Sequence, residues 1–265
     1  MSQLSLFTLP REIRDIIYDE LFQVASQLGQ SSTFDIPFAI LRTSRQFHQE
    51  ATPILSKHIE NGFTKGNIHH IFFLAASKGC AGILKRLMAR EGFDVTKEDC
   101  NSRTALSWAS AMGHEGAVQY LLEQGSAVNA KDGNCRTPLW YAAHNGHKTV
   151  VQLLMAQADI AVNSVDINFF TPLSVAAENG HEEVVPLFLK HDQVKVNPRD
   201  YLYRTPLMAA AMNNHEAVVA LLLAEKRVDI NAESNEGWTL QKISERLADL
   251  GHEGILRLLS QGKKK

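Results

Sequence analysis

Thr137-Pro138-Leu139-Trp140-Tyr141-Ala142-Ala143-His144-Asn145-Gly146-His147 is the stretch on which the reading of this chain turns. Its Thr-Pro opening predicts a helix start. The threonine oxygen can accept a backbone N–H of the first turn, and proline there loses no hydrogen bond while its ring presets φ. The small pair Ala142-Ala143 lets this short helix approach its neighbours closely. Gly146 suits the left-handed turn that ends it. The run after His147, with Val150, Val151, Leu153 and Leu154, predicts a second helix with one apolar face.

The pattern recurs on both sides. Thr104-Ala105-Leu106, Thr137-Pro138-Leu139, Thr171-Pro172-Leu173 and Thr205-Pro206-Leu207 are spaced by 33, 34 and 34 residues. Thr239-Leu240 follows after another 34 and lacks the proline. A histidine stands ten residues after each of the first four threonines: His114, His147, His181 and His215. Gly113, Gly146, Gly180 and Asn214 precede them, and asparagine is the next-best residue for a left-handed position. An earlier unit keeps the register at Ala75-Ala76 and Gly79, and Val-Asn pairs such as Val128-Asn129 and Val196-Asn197 close the units. A unit of this size cannot bury its apolar face alone, so stacked neighbours must share one core.

Residues 68–261, about three quarters of the chain, resemble the ankyrin-repeat family. The resemblance implies an all-α solenoid of about six helix-pair units, a curved stack with finger loops projecting from it. The units fall near 68–99, 100–132, 133–166, 167–200, 201–234 and 235–261, with 262–265 as a tail. Three departures carry expectations of their own. The last unit spans 13 residues from Thr239 to His252 instead of 10, so its first helix gains about a turn. Pro186 lies well inside a second helix and predicts a local kink. The family's finger glycine, two residues before the threonine, is replaced by Ser102, Cys135, Phe169 and Tyr203, which implies either a changed turn or strain.

Residues 1–61 do not follow the repeat, and 62–67 read as a linker. Leu9-Pro10-Arg11-Glu12-Ile13 opens a helix, and Ile40–Phe47 lies in a second amphipathic one. These segments resemble the divergent F-box-like modules common in fungal proteins. The resemblance implies docking on the adaptor of a cullin-type ubiquitin ligase, with Leu9, Pro10, Ile13 and Ile16 as adaptor-binding residues. The other reading is a helical cap on the first unit.

Composition narrows the function classes. The formal net charge is −2, which argues against a nucleic-acid binder that must displace counterions from phosphate. Three widely spaced cysteines make no disulfide framework and point to a cytoplasmic or nuclear chain. No apolar run approaches membrane-spanning length, so no membrane partner is expected. No phosphate loop, nucleophile elbow or HExxH motif occurs, and no catalytic, metal or cofactor site is expected.

The expected partner is a protein, bound by a monomer along the fingers and inner helices. An aromatic strip of Trp108, Tyr141, Phe169, Phe170, Tyr201, Tyr203 and Trp238, edged by Arg103, Arg136 and Arg204, marks the surface. Aromatic and arginine side chains are typical interface anchors. His144 and Glu178, one unit apart in the same row, complete it. That pair is also the best enzymatic constellation in the chain, if its two side chains touch. Three functions remain in view: ligase substrate receptor, stand-alone scaffold or transcription coregulator, and an enzyme or small-molecule binder near His144.

Overall fold

The structure is a computed structural model, and it describes residues 68–262. The F-box-like segment, the linker and the adaptor-binding residues Leu9, Pro10, Ile13 and Ile16 lie outside the described residues. Two compact units divide the chain, Met1–Ala76 with Cys80–Val95, and Ser77–Gly79 with Thr96–Lys265. Among the described residues every regular element is helical, apart from an isolated antiparallel bridge between Glu233 and Thr239.

In the first unit, α1 (Ile68–Ser77, whose last residue belongs to the second unit) leads to α2 (Ala81–Met88). Phe72 is fully buried, and Phe93 meets it edge-on at 4.9 Å between ring centroids.

The second unit stacks five helix pairs. They are α3 (Ala105–Ala111) with α4 (Glu115–Glu123), α5 (Pro138–His144) with α6 (Lys148–Met155), and α7 (Pro172–Glu178) with α8 (Val185–Leu189). Then come α9 (Pro206–Met212) with α10 (Glu216–Ala224), and α11 (Leu240–Asp249) with α12 (Gly254–Gly262). The first helices pack in series, α3 on α5, α5 on α7, α7 on α9 and α9 on α11. The alanine pairs of α5, α7 and α9 are buried, which is what permits the close approach.

The local rules are visible atom by atom. Thr104, Thr137, Thr171, Thr205 and Thr239 are extended, and each side-chain oxygen accepts the N–H three residues on. Gly113, Gly146 and Gly180 have φ near +73°, and Asn214 takes φ 57° in the same place. Each histidine that follows reaches back a whole repeat. The Nε2 atoms of His114, His147, His181 and His215 lie 2.7–3.0 Å from the carbonyl oxygens of Ser77, Ala111, His144 and Glu178. Asn129, Asn163 and Asn197 tie the loops together in the other direction. Each donates Nδ2 to a carbonyl of the next repeat and accepts an N–H there on Oδ1.

Two expectations about length can be settled. Helix α11 has 10 residues against 7 in its equivalents, so the extra turn is present. Pro186 makes no kink inside a helix. Helix α8 instead starts at Val185, with the proline in its first turn, and residues 182–184 form a turn. Moving the helix start is the cheaper solution, because first-turn N–H groups have no intrahelical partner to lose.

Candidate partner-binding face

Each finger is built around one acceptor, buried in all but the first. Asp99, Asp132, Asp166 and Asp200 recur at intervals of 33, 34 and 34 residues, and Ser234 stands 34 residues later. In the first four, Oδ1 accepts the N–H groups two and four residues on, at 2.8–2.9 Å. The aspartate N–H donates to the carbonyl four residues on, and its carbonyl accepts the N–H three residues on. This row escaped the sequence reading, although its period was as clear as that of the threonines.

That tight loop forces a left-handed residue at its fourth position. Ser102, Cys135, Phe169 and Tyr203 adopt φ 57°, 61°, 63° and 60°, and Gly237 fills the same place in the fifth finger at 74°. The turn is therefore unchanged and the replacements are strained. For a residue with a Cβ this costs roughly 1–2 kcal/mol. Adjacent fingers are laced together. The N–H groups of Gly133, Ile167, Tyr201 and Asn235 donate to the carbonyls of Asn101, Asn134, Asn168 and Leu202 at 2.9–3.1 Å.

Behind the tips lie the inner side chains. Arg103 pairs with Asp99 at 3.1 Å and lies 3.8 Å over the Trp108 ring, while Trp108 Nε1 donates to the same carboxylate at 3.0 Å. One unit on, the Tyr141 hydroxyl donates to Asp132 at 2.6 Å. Burial raises the Tyr141 pKa, and Asp132 adds to that rise by hydrogen bond and charge. Arg136 instead lies 4.5 Å over Trp140 and 4.0 Å from Asp166 of the next finger. In the third finger Phe170 takes the arginine's place. In the fourth, Arg204 pairs with Asp200 at 2.7 Å and lies 3.9 Å from Glu178.

His144 and Glu178 take different partners. The His144 ring stacks on Trp140, with centroids 4.9 Å apart, and its Nδ1 meets Asn179 Nδ2 at 3.1 Å. Glu178 faces Arg204. Burial lowers the His144 pKa, helped by the charge of Arg136 and then of His181. Burial raises that of Glu178 against the opposing pull of Arg204. A base oriented by a carboxylate needs hydrogen-bond contact, and the structure gives these two side chains different partners.

The aromatic strip is also less continuous than expected. Phe169, Tyr201 and Tyr203 are 56%, 53% and 54% exposed, whereas Phe170 is only 9% exposed and packs under the Arg204 guanidinium at 5.9 Å. Phe170 is thus corrected from an exposed anchor to a packing residue. Trp108 and Tyr141 are half-buried on the inner helices, and Trp238 is half-buried with Arg246 at 5.3 Å from its ring. Ile167, exposed beside Phe169, was not singled out from the sequence. Alternation of hydrophobicity could not flag it, because a five-residue loop has no face.

Among the described residues, no group of three or more His, Cys, Asp or Glu side chains could hold a metal ion. No described helix is long and apolar enough to cross a membrane. Capped helix pairs, cross-repeat histidines and laced fingers define a helical repeat protein of the kind that presents a binding surface. The family model described as ankyrin repeats (3 copies) matches residues 72–166 and 161–234, so the chain belongs to the ankyrin-repeat family. Comparison with curated proteins found no match.

Proposed function

We propose that this chain binds a protein partner on the face made by its fingers and first helices. Ankyrin repeats are protein–protein interaction modules, and this family membership sets the class of function. The residues engaged are the finger residues Phe169, Tyr201 and Tyr203, with Arg103, Trp108, Arg136, Tyr141, His144, Glu178, Arg204 and Trp238 behind or beside them. The observation that carries the reading is exposed aromatic surface on neighbouring fingers, two of its rings held at left-handed positions. Such groups add little to folding and are typical energetic anchors of interfaces.

The test is capture from the native cells by tagged full-length chain, wild type against a Trp108→Ala, Tyr141→Ala, Tyr201→Ala variant of unchanged helical content. A protein retained by the wild type and lost by the variant supports the reading. Identical captured sets from the two chains overturn it.

The finer reading is a substrate receptor of a cullin-type ligase. It rests on the sequence segments Leu9-Pro10-Arg11-Glu12-Ile13 and Ile40–Phe47. Recovery of the small adaptor and a cullin, abolished by Leu9→Ala with Pro10→Ala, supports it. A partner retained without them leaves a stand-alone scaffold or coregulator.

A further inference from the structure

We infer that the tips of the third and fourth fingers are the docking site for an acidic, apolar segment of the partner, an inference that rests on the protein-binding reading above. Two independent observations meet there. The first is where the charge points. The finger carboxylates turn inward onto backbone N–H groups, and the Asp166 and Asp200 side chains are each only 2% exposed. The residue before the aspartate is Glu98, Lys131, Val165 and Arg199 in the first four fingers, and Glu233 precedes Ser234 in the fifth. Lys131 and Arg199 are exposed and, among the described residues, neither forms an ion pair. The Arg199 guanidinium lies 5.8 Å from the Tyr203 ring. Behind the tips the charges are paired, Arg204 with Asp200 and Glu178 and Arg136 near Asp166, so the unpaired positive charge stands at the tips themselves. From the second to the fourth finger the outward charge is therefore positive. The exposed acids Glu98, Glu233 and Glu236 belong to the first and fifth fingers.

The second observation is the strain. Gly237 shows that this turn accepts glycine. Phe169 and Tyr203 occupy the same slot in the third and fourth fingers with more than half of each side chain in water. Folding alone would favour glycine at all four strained positions, and these two are the ones that carry large exposed rings, which suits contact outside the chain. Packed helices of neighbouring repeats lie about 10 Å apart, so equivalent finger residues recur at about that spacing. About three residues of extended chain span that distance, so one short segment can engage both rings. Tyr201, whose N–H bonds Asn168 of the third finger, adds exposed apolar area between them, and Ile167 adds more on the side of the second finger. A partner segment carrying carboxylates beside apolar side chains complements both features, and one carrying lysines meets like charge.

The test uses fluorescence anisotropy with the full chain and two short labelled peptides. One is composed of Asp, Glu, Leu and Phe, and the other has Lys in place of every Asp and Glu. The wild type is expected to bind the acidic peptide at least about tenfold more tightly than the basic one, and the preference should fall as salt rises. Phe169→Gly with Tyr203→Gly should weaken the acidic peptide about tenfold while leaving the chain folded, because glycine suits the turn. Lys131→Glu with Arg199→Glu should reverse the preference between the peptides. Equal or tighter binding of the basic peptide overturns the inference, as does acidic-peptide binding that ignores the two glycine substitutions. If the peptides show no preference while a captured native partner is still lost from the glycine variant, the charge inference fails and the protein-binding reading stands. If that partner is retained, the finger tips are not its site.

Discussion

The imidazole of His147 lies flat over Gly113 of the preceding repeat, so near that a Cβ on the glycine would sit 2.5 Å from Nδ1. The same glycine holds φ 73°. Two demands, backbone and space, thus fall on one residue. Gly237 meets only the first, since its added Cβ would meet the flexible end of Glu233 at 3.3 Å. Gly237→Ala is expected to cost about 1–2 kcal/mol, the ordinary penalty for a left-handed alanine. Gly113→Ala should cost clearly more, because the ring that bonds Ala111 must also move. Urea unfolding midpoints of the two variants check the order.

Neighbouring phenylalanines should respond with opposite signs. Phe169→Gly removes left-handed strain from an exposed ring and is expected to stabilise the chain by about 1 kcal/mol. Phe170→Ala empties a buried site and should destabilise it by roughly 3 kcal/mol. Thermal unfolding of the two single variants decides whether the finger is partitioned in this way.

The helix caps offer a graded comparison. Thr137 accepts the Trp140 N–H at 3.2 Å and has no hydroxyl neighbour at that position. Thr137→Val is expected to cost about 1 kcal/mol. Thr171 also contacts the buried Ser174 hydroxyl at 2.9 Å. Thr171→Val should therefore cost more, since it leaves that hydroxyl without its partner. Chemical denaturation of both variants tests the difference.

Acid sensitivity follows from His144. Its folded-state pKa is lowered, first by burial and then by the charge of Arg136. Below about pH 6.5 the unfolded chain binds the proton more readily than the folded one, so stability falls as pH drops through that value towards the lowered folded pKa. Glu178 runs the other way. Its raised pKa means the folded chain holds the proton longer, so its contribution falls as pH rises above the ordinary carboxylate range. His144→Gln should flatten the loss between about pH 7.5 and about pH 5.5, measured as the shift in urea midpoint. An unchanged slope in the variant would exclude His144 as its source.

The helix pairs, their caps, the Gly-His steps and the longer last inner helix were legible in the chain's local patterning. Those features are written in local backbone chemistry: a threonine oxygen, a ring-fixed φ, a residue without a Cβ. Each repeats with the same period, so each copy confirms the others. Which side chains turn inward was settled by packing between repeats. Phe169 and Phe170 are identical and adjacent, yet the turn sends one to solvent and the other beneath Arg204. Asp132 takes Tyr141 rather than its own arginine, which frees Arg136 to reach towards Asp166 of the next finger. His144 goes to Trp140 and Asn179 rather than to Glu178. These choices depend on what the neighbouring repeat presents, and a competition between residues a whole repeat apart leaves no trace in local spacing. The start of α8 at Val185 is the intermediate case, where the sequence located the disturbance at Pro186 and the fold chose how to absorb it.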